Sequence, residues 1–266
     1  MNINFNFLLI GTSLSLIPNL TRAQCAVTDC QQLGYTSLQK CDNGLKCPFG
    51  EYWACPKVEE KAVLGECTGY AKNCKIGDIL NSDGTCSSDK ISGKTPIGVV
   101  VYIGGDNCGQ ALSLKDLGSM YWSTEYIDIS GLPNYTSVSA LEQDFNSCDN
   151  TQKIIKQGTS GIYKAAWATV NYVPNSAPVT KSKWCLPAVG VARSMMNNYS
   201  TISSGMSKAG GESLPGLSVF SHWNWSSSEY NNNYAWQWCY ANNTLGHTSK
   251  NASSDDYGYV RPVLSF

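Results

Sequence analysis

The chain has 266 residues, which is enough for one domain of ordinary size and a smaller module. Hydrophobic residues make up 42% of it, so the chain can bury a core, and disorder throughout is excluded. Its 19 basic and 20 acidic side chains give a net charge of −1, which leaves no cationic excess to neutralise phosphates. We therefore expect no nucleic-acid partner.

The first 23 residues have the pattern of a secretory signal peptide. An apolar stretch over residues 5–17 is shorter than the roughly 20 residues that a transmembrane helix needs. Small residues at Thr21 and Ala23 then offer a cleavage site. A membrane anchor and a buried strand are the alternatives for this segment. We expect an exported protein, in the periplasm, at the cell surface or secreted, with no transmembrane segment.

All 12 cysteines follow the predicted cleavage site, and an even number in an exported chain indicates disulfide bonds. Seven of them fall within residues 24–75, which predicts a small disulfide-rich module. Zinc is disfavoured there because the segment has no CxxC pair and no histidine. The remaining five lie in residues 76–266, the predicted main domain. Because seven and five are both odd, at least one disulfide must join the module to the main domain if all of the cysteines pair.

The pairing itself does not follow from the sequence. Our guess joins Cys108 to Cys148 and Cys185 to Cys239.

The first half of the main domain shows two strands followed by helix. A strand over residues 76–80 ends in an Asp-Gly turn at 83–84, and a β-branched run at 97–103 predicts a buried strand. Residues 150–172 are weakly helical and are interrupted by Gly158 and Gly161.

The second half begins with a short strand at residues 183–186, and an apolar stripe from Ala188 to Tyr199 then indicates a helix. An aromatic strand is predicted at 235–241. The last strand, 257–266, contains Pro262, which favours an edge position or a bulge. Strands and helices are segregated rather than alternating, so the fold class is α+β.

Several segments in the second half resemble a bacterial family, the C-terminal domain of collagen-like surface proteins and its secreted relatives. The matching segments are WCLPAVGVARSMM (184–196), AGG (209–211), WNWSSSEY (223–230), AW (235–236) and YVRPVLSF (259–266). With IGDILNSDGTCSS (76–88) and KTPIGVVVYI (94–103), the resemblance covers residues 76–266. It implies a C-type lectin-like domain, distantly related to the formylglycine-generating enzyme and to retroelement-diversified variable proteins. The segment CPFGEYWAC (47–55) resembles Cys-rich modules that precede such domains.

The resemblance also implies that loops between the WSSSEY segment and the closing strand form an exposed ligand face. Amide side chains and aromatic rings are abundant there, as in antibody loops. The candidate ligand-binding residues are His222, Trp223, Tyr230, Asn231, Asn232, Asn233, Tyr234, Trp238, Tyr240, Asn242, Asn243 and His247.

Four residues in and near the family motifs are assigned structural roles. We expect Trp225 and Trp236 to pack in the core, because tryptophan buries a large area and alternate strand positions face inward. Trp223 and Trp238 are open to either role. Arg261 is expected to form an ion pair with Glu229 and to hold the loops together.

Neither metal nor catalytic chemistry is indicated. Calcium-dependent lectins of this fold use a Trp-Asn-Asp triplet, whereas this chain has Trp223-Asn224-Trp225, so we expect no calcium-dependent sugar site, no metal ligands and no cofactor. The chain has no G-x-S-x-G, phosphate-loop or HExxH motif, and we assign no catalytic residue.

The sequence therefore predicts a non-enzymatic binding protein that recognises a glycan or a protein on another surface. Two alternatives remain: a Cys-dependent enzyme of the formylglycine-generating type, and a structural subunit of an envelope or appendage. The oligomeric state is left open.

Overall fold

The structure is a computed structural model that describes residues 39–46, 52–54, 64–67, 69–174, 183–251 and 258–266. The chain divides into two compact units, Met1–Glu60 and Lys61–Phe266. In the first unit, β1 (Gln39–Lys46) and β2 (Tyr52–Ala54) form an antiparallel pair. The predicted signal peptide and most of the predicted Cys-rich module lie outside the described residues.

A six-stranded sheet forms one layer of the second unit. Its spatial order is β4-β3-β5-β6-β13-β8. The strands are β3 (Ile79–Asn81), β4 (Cys86–Ser87), β5 (Pro96–Ile103), β6 (Gly109–Ser113), β8 (Trp184–Cys185) and β13 (Val263–Ser265). The predicted strands at 76–80, 97–103 and 183–186 are thus confirmed as β3, β5 and β8, with small shifts of their ends.

A five-stranded sheet carries most of the predicted ligand face. Its order is β11-β10-β9-β12-β7. The strands are β7 (Ser119–Met120), β9 (Asn224–Glu229), β10 (Tyr234–Cys239), β11 (Thr244–Ser249) and β12 (Gly258–Tyr259). All neighbouring strands are antiparallel except β9 and β12, which are parallel.

The α-helices of the described residues lie between β7 and β9, and the short β8 lies among them. The predicted helical region at 150–172 is split at its glycines, and the stripe after Ala188 continues into a second helix. The last helix ends at Gly210, whose φ of 77° is the left-handed conformation that glycine adopts readily. The helices are α1 (Val138–Leu141), α2 (Ser147–Gln157), α3 (Lys164–Asn171), α4 (Val189–Asn197) and α5 (Tyr199–Ala209).

The six-stranded sheet is buried on both faces, because β5 alternates between two apolar clusters. Val99 and Val101 pack with residues of α4 and α5, whereas Val100 between them packs in a second cluster that contains Trp184. This explains why β5 reads as one continuous apolar run.

Helix α5 approaches the sheet closely at Gly205. A Cβ atom there would lie 2.8 Å from Cγ1 of Val99 and would also collide with the carbonyl oxygen of Gly77. A side chain at this position would therefore push the helix away from the sheet.

Three disulfides join the described residues: Cys67–Cys108, Cys74–Cys86 and Cys148–Cys185. The first two cross the boundary predicted between residues 75 and 76, and they do so inside the second compact unit. The guessed pairs Cys108–Cys148 and Cys185–Cys239 are wrong. Pairing requires Cα atoms within about 7 Å, and α2 places Cys148 beside Cys185 on β8, with 5.0 Å between their Cα atoms.

The closing strand also differs from the prediction. Strand β13 is an inner strand between β6 and β8, not an edge, and β12 lies inside the other sheet. Pro262 is tolerated because it lies where the chain passes between the two sheets and supplies only its carbonyl oxygen, to the N–H of Ser113.

The described part of the chain is α+β, as predicted, and the C-type lectin-like architecture stays a prediction. Within the described ranges, every helix is too short or too polar to cross a bilayer.

Candidate functional site

Four aromatic side chains form a ring cluster at one end of the five-stranded sheet. We use this name for Tyr230, Tyr234, Trp236 and His247. The rings of Tyr230 and His247 are stacked, with 3.9 Å between centroids, and Tyr234 and Trp236 meet His247 edge-on. Trp236 is the buried base, whereas Tyr234 is 39% exposed and His247 is also exposed. The sheet causes this arrangement, because Trp236 on β10 and His247 on β11 are paired in register.

The loop between β9 and β10 is held by one of its own asparagines. Oδ1 of Asn231 accepts hydrogen bonds from the backbone N–H groups of Asn233 and Tyr234, at 2.8 and 2.9 Å. Such local bonding is typical of asparagine in turns. The side chain of Asn231 therefore shapes the loop, while Asn232 and Asn233 are exposed beside the ring cluster.

His222 and Trp223 lie at the other end of β9. His222 stacks on Tyr259, with 3.6 Å between ring centroids, and its Nε2 atom is 3.8 Å from Oδ2 of Asp116. The ring of Trp223 lies over Gly246, the neighbour of His247 on β11. Successive strand residues face opposite sides of a sheet, so Trp223 and the ring cluster lie on opposite faces.

Trp238 and Tyr240 belong to the core, which corrects their assignment as ligand-binding residues. They are 0% and 3% exposed and pack in the apolar cluster beneath α4 and α5. Their rings meet edge-on at 4.8 Å. A ligand at the surface could not contact them without unfolding this part of the domain.

Asn242 and Asn243 connect β10 to β11 at the end opposite the ring cluster. Both are exposed and adopt a positive φ, of 54° and 55°, which asparagine tolerates better than most residues. Nη1 of Arg193 donates to the Asn243 backbone oxygen at 2.9 Å and to its Oδ1 at 2.6 Å. The predicted ligand face is therefore not one surface. Of the candidates at residues 238–247, His247 is the one whose ring packs against residues of the loop at 230–234.

Arg261 does not form the expected pair with Glu229. Its guanidinium donates to the backbone carbonyl oxygens of Ser113, Leu114 and Glu212. Glu229 instead contacts Lys250, and both side chains are 0% exposed. Lys250 is not among the residues predicted for this site, although it is the one charged residue between Glu229 and Asp255.

The Glu229–Lys250 pair is enclosed by the backbone of residues 127–129 and by the ring of Trp122. Nζ of Lys250 donates to the carbonyl oxygen of Ile127 at 2.7 Å and lies 5.0 Å from the ring centre of Trp122. Oε2 of Glu229 accepts from the N–H of Ile129 at 3.1 Å. Burial raises the pKa of the Glu229 carboxyl and lowers the pKa of the Lys250 amine, so it favours the neutral form of both groups.

A second buried polar network fixes the WSSSEY segment. Oδ2 of Asp144 accepts from the hydroxyl of Ser228 at 2.7 Å and from Nδ2 of Asn150 at 2.8 Å. The Ser228 hydroxyl in turn accepts from the N–H of Val189, the first residue of α4. Ser228 therefore links the WSSSEY segment both to Asp144 and to the start of α4.

Among the residues whose side chains the structure describes, Cys239 is a free cysteine. It is buried, its Sγ donates to the backbone oxygen of Val219, and burial raises the pKa of the thiol. A raised pKa disfavours the thiolate, the form that acts as a nucleophile.

Comparisons with known proteins show a likeness to a solved structure. No family model and no curated protein matches the chain. The fold is similar to that of a fimbrial protein from Bacteroides ovatus ATCC 8483, with a TM-score of 0.52 and 15% sequence identity. The match covers 72% of this chain and 49% of the fimbrial protein, so the chain spans about half the length of that neighbour. At this identity the likeness concerns the fold.

Proposed function

We propose that the protein is an exported structural subunit of a surface appendage, without a catalytic role. The observation that carries this proposal is the fold similarity to a fimbrial protein. Three disulfides in the described residues fit an oxidising compartment outside the cytoplasm. The buried Cys239, with its raised pKa, gives no support for the Cys-dependent enzyme alternative.

A subunit of this kind needs a surface through which copies associate. An exposed apolar segment between α5 and β9 is suited to this, because Leu217 and Phe220 are 54% and 58% exposed and Val219 is also exposed. Large apolar side chains clustered at a surface commonly mark contacts with other proteins. The occupant that we propose is a second copy of the chain.

Sedimentation velocity over a range of protein concentrations tests this proposal. The wild-type mature protein should form concentration-dependent oligomers, and the double variant Leu217→Ser/Phe220→Ser should stay monomeric. Ile91→Ser is the matched control, since Ile91 is 42% exposed elsewhere on the domain, and it should associate as the wild type does. A wild-type protein that stays monomeric throughout, or a double variant that associates normally, would contradict the proposal.

The ring cluster supports a second function, calcium-independent recognition of a glycan on another surface. Tyr234 and His247 expose flat rings against which the apolar face of a sugar can stack, and Asn232 and Asn233 add amide donors and acceptors. This function would use the C-type lectin-like scaffold that the sequence resemblance implies. Asn231 takes part by holding the loop.

A glycan array with the mature protein tests this second function. The double variant Tyr234→Ala/His247→Ala should lose binding while its thermal midpoint stays close to that of the wild type, because both side chains are exposed. Ile91→Ala is the control, because Ile91 is similarly exposed, at 42% against 39% for Tyr234, and lies outside both the ring cluster and residues 217–220. Equal binding by the double variant and the wild type would exclude the cluster as the site.

A further inference from the structure

The buried Glu229–Lys250 pair has a geometry that an amide bond would satisfy better than an ion pair. A charged pair at zero exposure pays a large desolvation penalty, and only complete hydrogen bonding can offset it. An ammonium group has three donors, and here one is directed at Ile127 and one at Glu229. The third has the face of Trp122 nearby.

An amide between these side chains would have one donor and one acceptor facing the protein. Its N–H would keep the hydrogen bond to the Ile127 carbonyl oxygen, at the 2.7 Å that Nζ now shows. Its carbonyl oxygen would be Oε2 of Glu229, which already accepts from the N–H of Ile129. The carbonyl oxygen of Ile127 and the N–H of Ile129 would thus pair with the N–H and the carbonyl oxygen of the amide.

The two side chains are also held in place by their own backbone. Lys250 donates its N–H to Asn233, and its carbonyl oxygen accepts from the N–H groups of Trp122 and Ser123. The carbonyl oxygen of Glu229 accepts from the N–H of Tyr135. Reacting groups fixed in contact behave as if at very high concentration, which lowers the barrier to a condensation that is slow in free solution.

We propose that Lys250 and Glu229 are joined by an intramolecular amide bond between Nζ and the side-chain carboxyl carbon Cδ. The neutral amine attacks Cδ of the protonated carboxyl group, and the new N–C bond replaces the bond from Cδ to Oε1. The amine loses one hydrogen and the carboxyl loses its hydroxyl, so one water leaves and nothing is oxidised or reduced. Burial supports the step because it favours the neutral forms that react.

The bond would enclose β10 and β11 in one covalent loop that begins at the end of β9. Glu229 ends β9 and Lys250 follows β11, while β10 lies between these strands in the sheet. Force along the chain could then not pull the segment between the two residues out of the domain. Tyr230 and His247, which lie on this segment, would be kept together as well.

Mass spectrometry of the mature full-length protein, reduced and alkylated, tests the proposal. The wild-type chain should be lighter than its sequence by one water. Lys250→Met should have the full mass, because it lacks the amine. Lys208→Met is the matched control, since Lys208 forms an exposed pair with Asp89, and it should keep the deficit of one water.

A tryptic map then locates the bond. Trypsin cleaves after lysine only when the amine is free, so cleavage after Lys250 should be absent. Residues 209–266 should then appear as one looped peptide that is lighter by one water, because Arg261 precedes a proline and is not a cleavage site. A wild-type mass equal to the sequence, with normal cleavage after Lys250, would overturn the proposal and leave a buried ion pair. This readout does not depend on folding of the variant, nor on assembly or glycan binding.

Discussion

Two buried tryptophans provide the sharpest test of how the ligand-face segment is packed. Trp225 and Trp238 are both 0% exposed, on neighbouring strands of the five-stranded sheet. Nε1 of Trp225 donates to the carbonyl oxygen of Met120 at 2.7 Å. Nε1 of Trp238 is buried and has no hydrogen-bond partner among the described residues. We therefore compare Trp225→Phe with Trp238→Phe.

The two substitutions remove the same side-chain volume, so the cavity cost cancels to first order between Trp225 and Trp238. Trp225→Phe also removes a made hydrogen bond, which costs about 1 kcal/mol. Trp238→Phe instead removes a buried, unpaired N–H group, which relieves about 1–3 kcal/mol. We expect Trp225→Phe to be less stable than Trp238→Phe by about 2–4 kcal/mol.

Urea unfolding followed by circular dichroism, with the disulfides intact, measures this difference. The slope of the free energy of unfolding against urea should be the same for both variants, so that the midpoints report stability directly. If Trp238→Phe proves as destabilising as Trp225→Phe, the indole N–H of Trp238 must have a partner, and the reasoning fails.

Three further predictions concern the core, the disulfides and alkaline pH. Gly205→Ala should lower the free energy of unfolding by about 1–2 kcal/mol in urea titrations, because overpacking against the sheet outweighs the gain in helix propensity; Gly105→Ala, where a Cβ meets open space, should change it by less than about 0.5 kcal/mol. The double variant Cys148→Ser/Cys185→Ser, which opens a loop with a sequence separation of 37, should lose about 4 kcal/mol by the same assay, and unchanged stability would argue against this bridge. Burial raises the pKa of Tyr240 in the folded protein, so its contribution to stability is present below the ordinary tyrosine pKa of about 10 and is lost as the pH rises above it; Tyr240→Phe should therefore show a shallower loss of thermal midpoint with alkaline pH than the wild type.

Local patterns in the sequence were sufficient for α2, α3 and α4 and for the strands β3, β5, β8 and β10, but not for α1, α5, β6, β9 or β11. The stripe through Val191 and Met195 predicts α4, and both residues are fully buried against the six-stranded sheet. Glycines at 158 and 161 mark the break between α2 and α3, because glycine is a poor helix former. These features depend on neighbours in the sequence, which is why they can be predicted without a tertiary structure.

The burial of β10 could not be predicted in the same way. Alternation separates the two sides of a strand only when one side faces water, and β10 is buried along both sides after Tyr234. Alternation alone therefore does not distinguish Trp236 from Trp238, although Trp236 belongs to the ring cluster and Trp238 lies deep in the core.

Contacts between segments that are distant in the sequence could not be predicted either. By charge alone, Arg261 and Lys250 are both plausible partners of Glu229. The parallel pairing of β12 with β9 and the path of β11 determine that Lys250 is the residue that contacts it. Cysteine pairing has the same difficulty, since it depends on which chain segments α2 and β8 bring together.

The two proposed functions use opposite ends of β9 and are therefore compatible in one molecule. The exposed apolar segment at residues 217–220 precedes this strand, and the ring cluster begins directly after it. A strand of 6 residues is roughly 20 Å long. Association of copies through residues 217–220 would then leave Tyr234 and His247 uncovered, so assembly and glycan binding should respond independently to the two sets of substitutions.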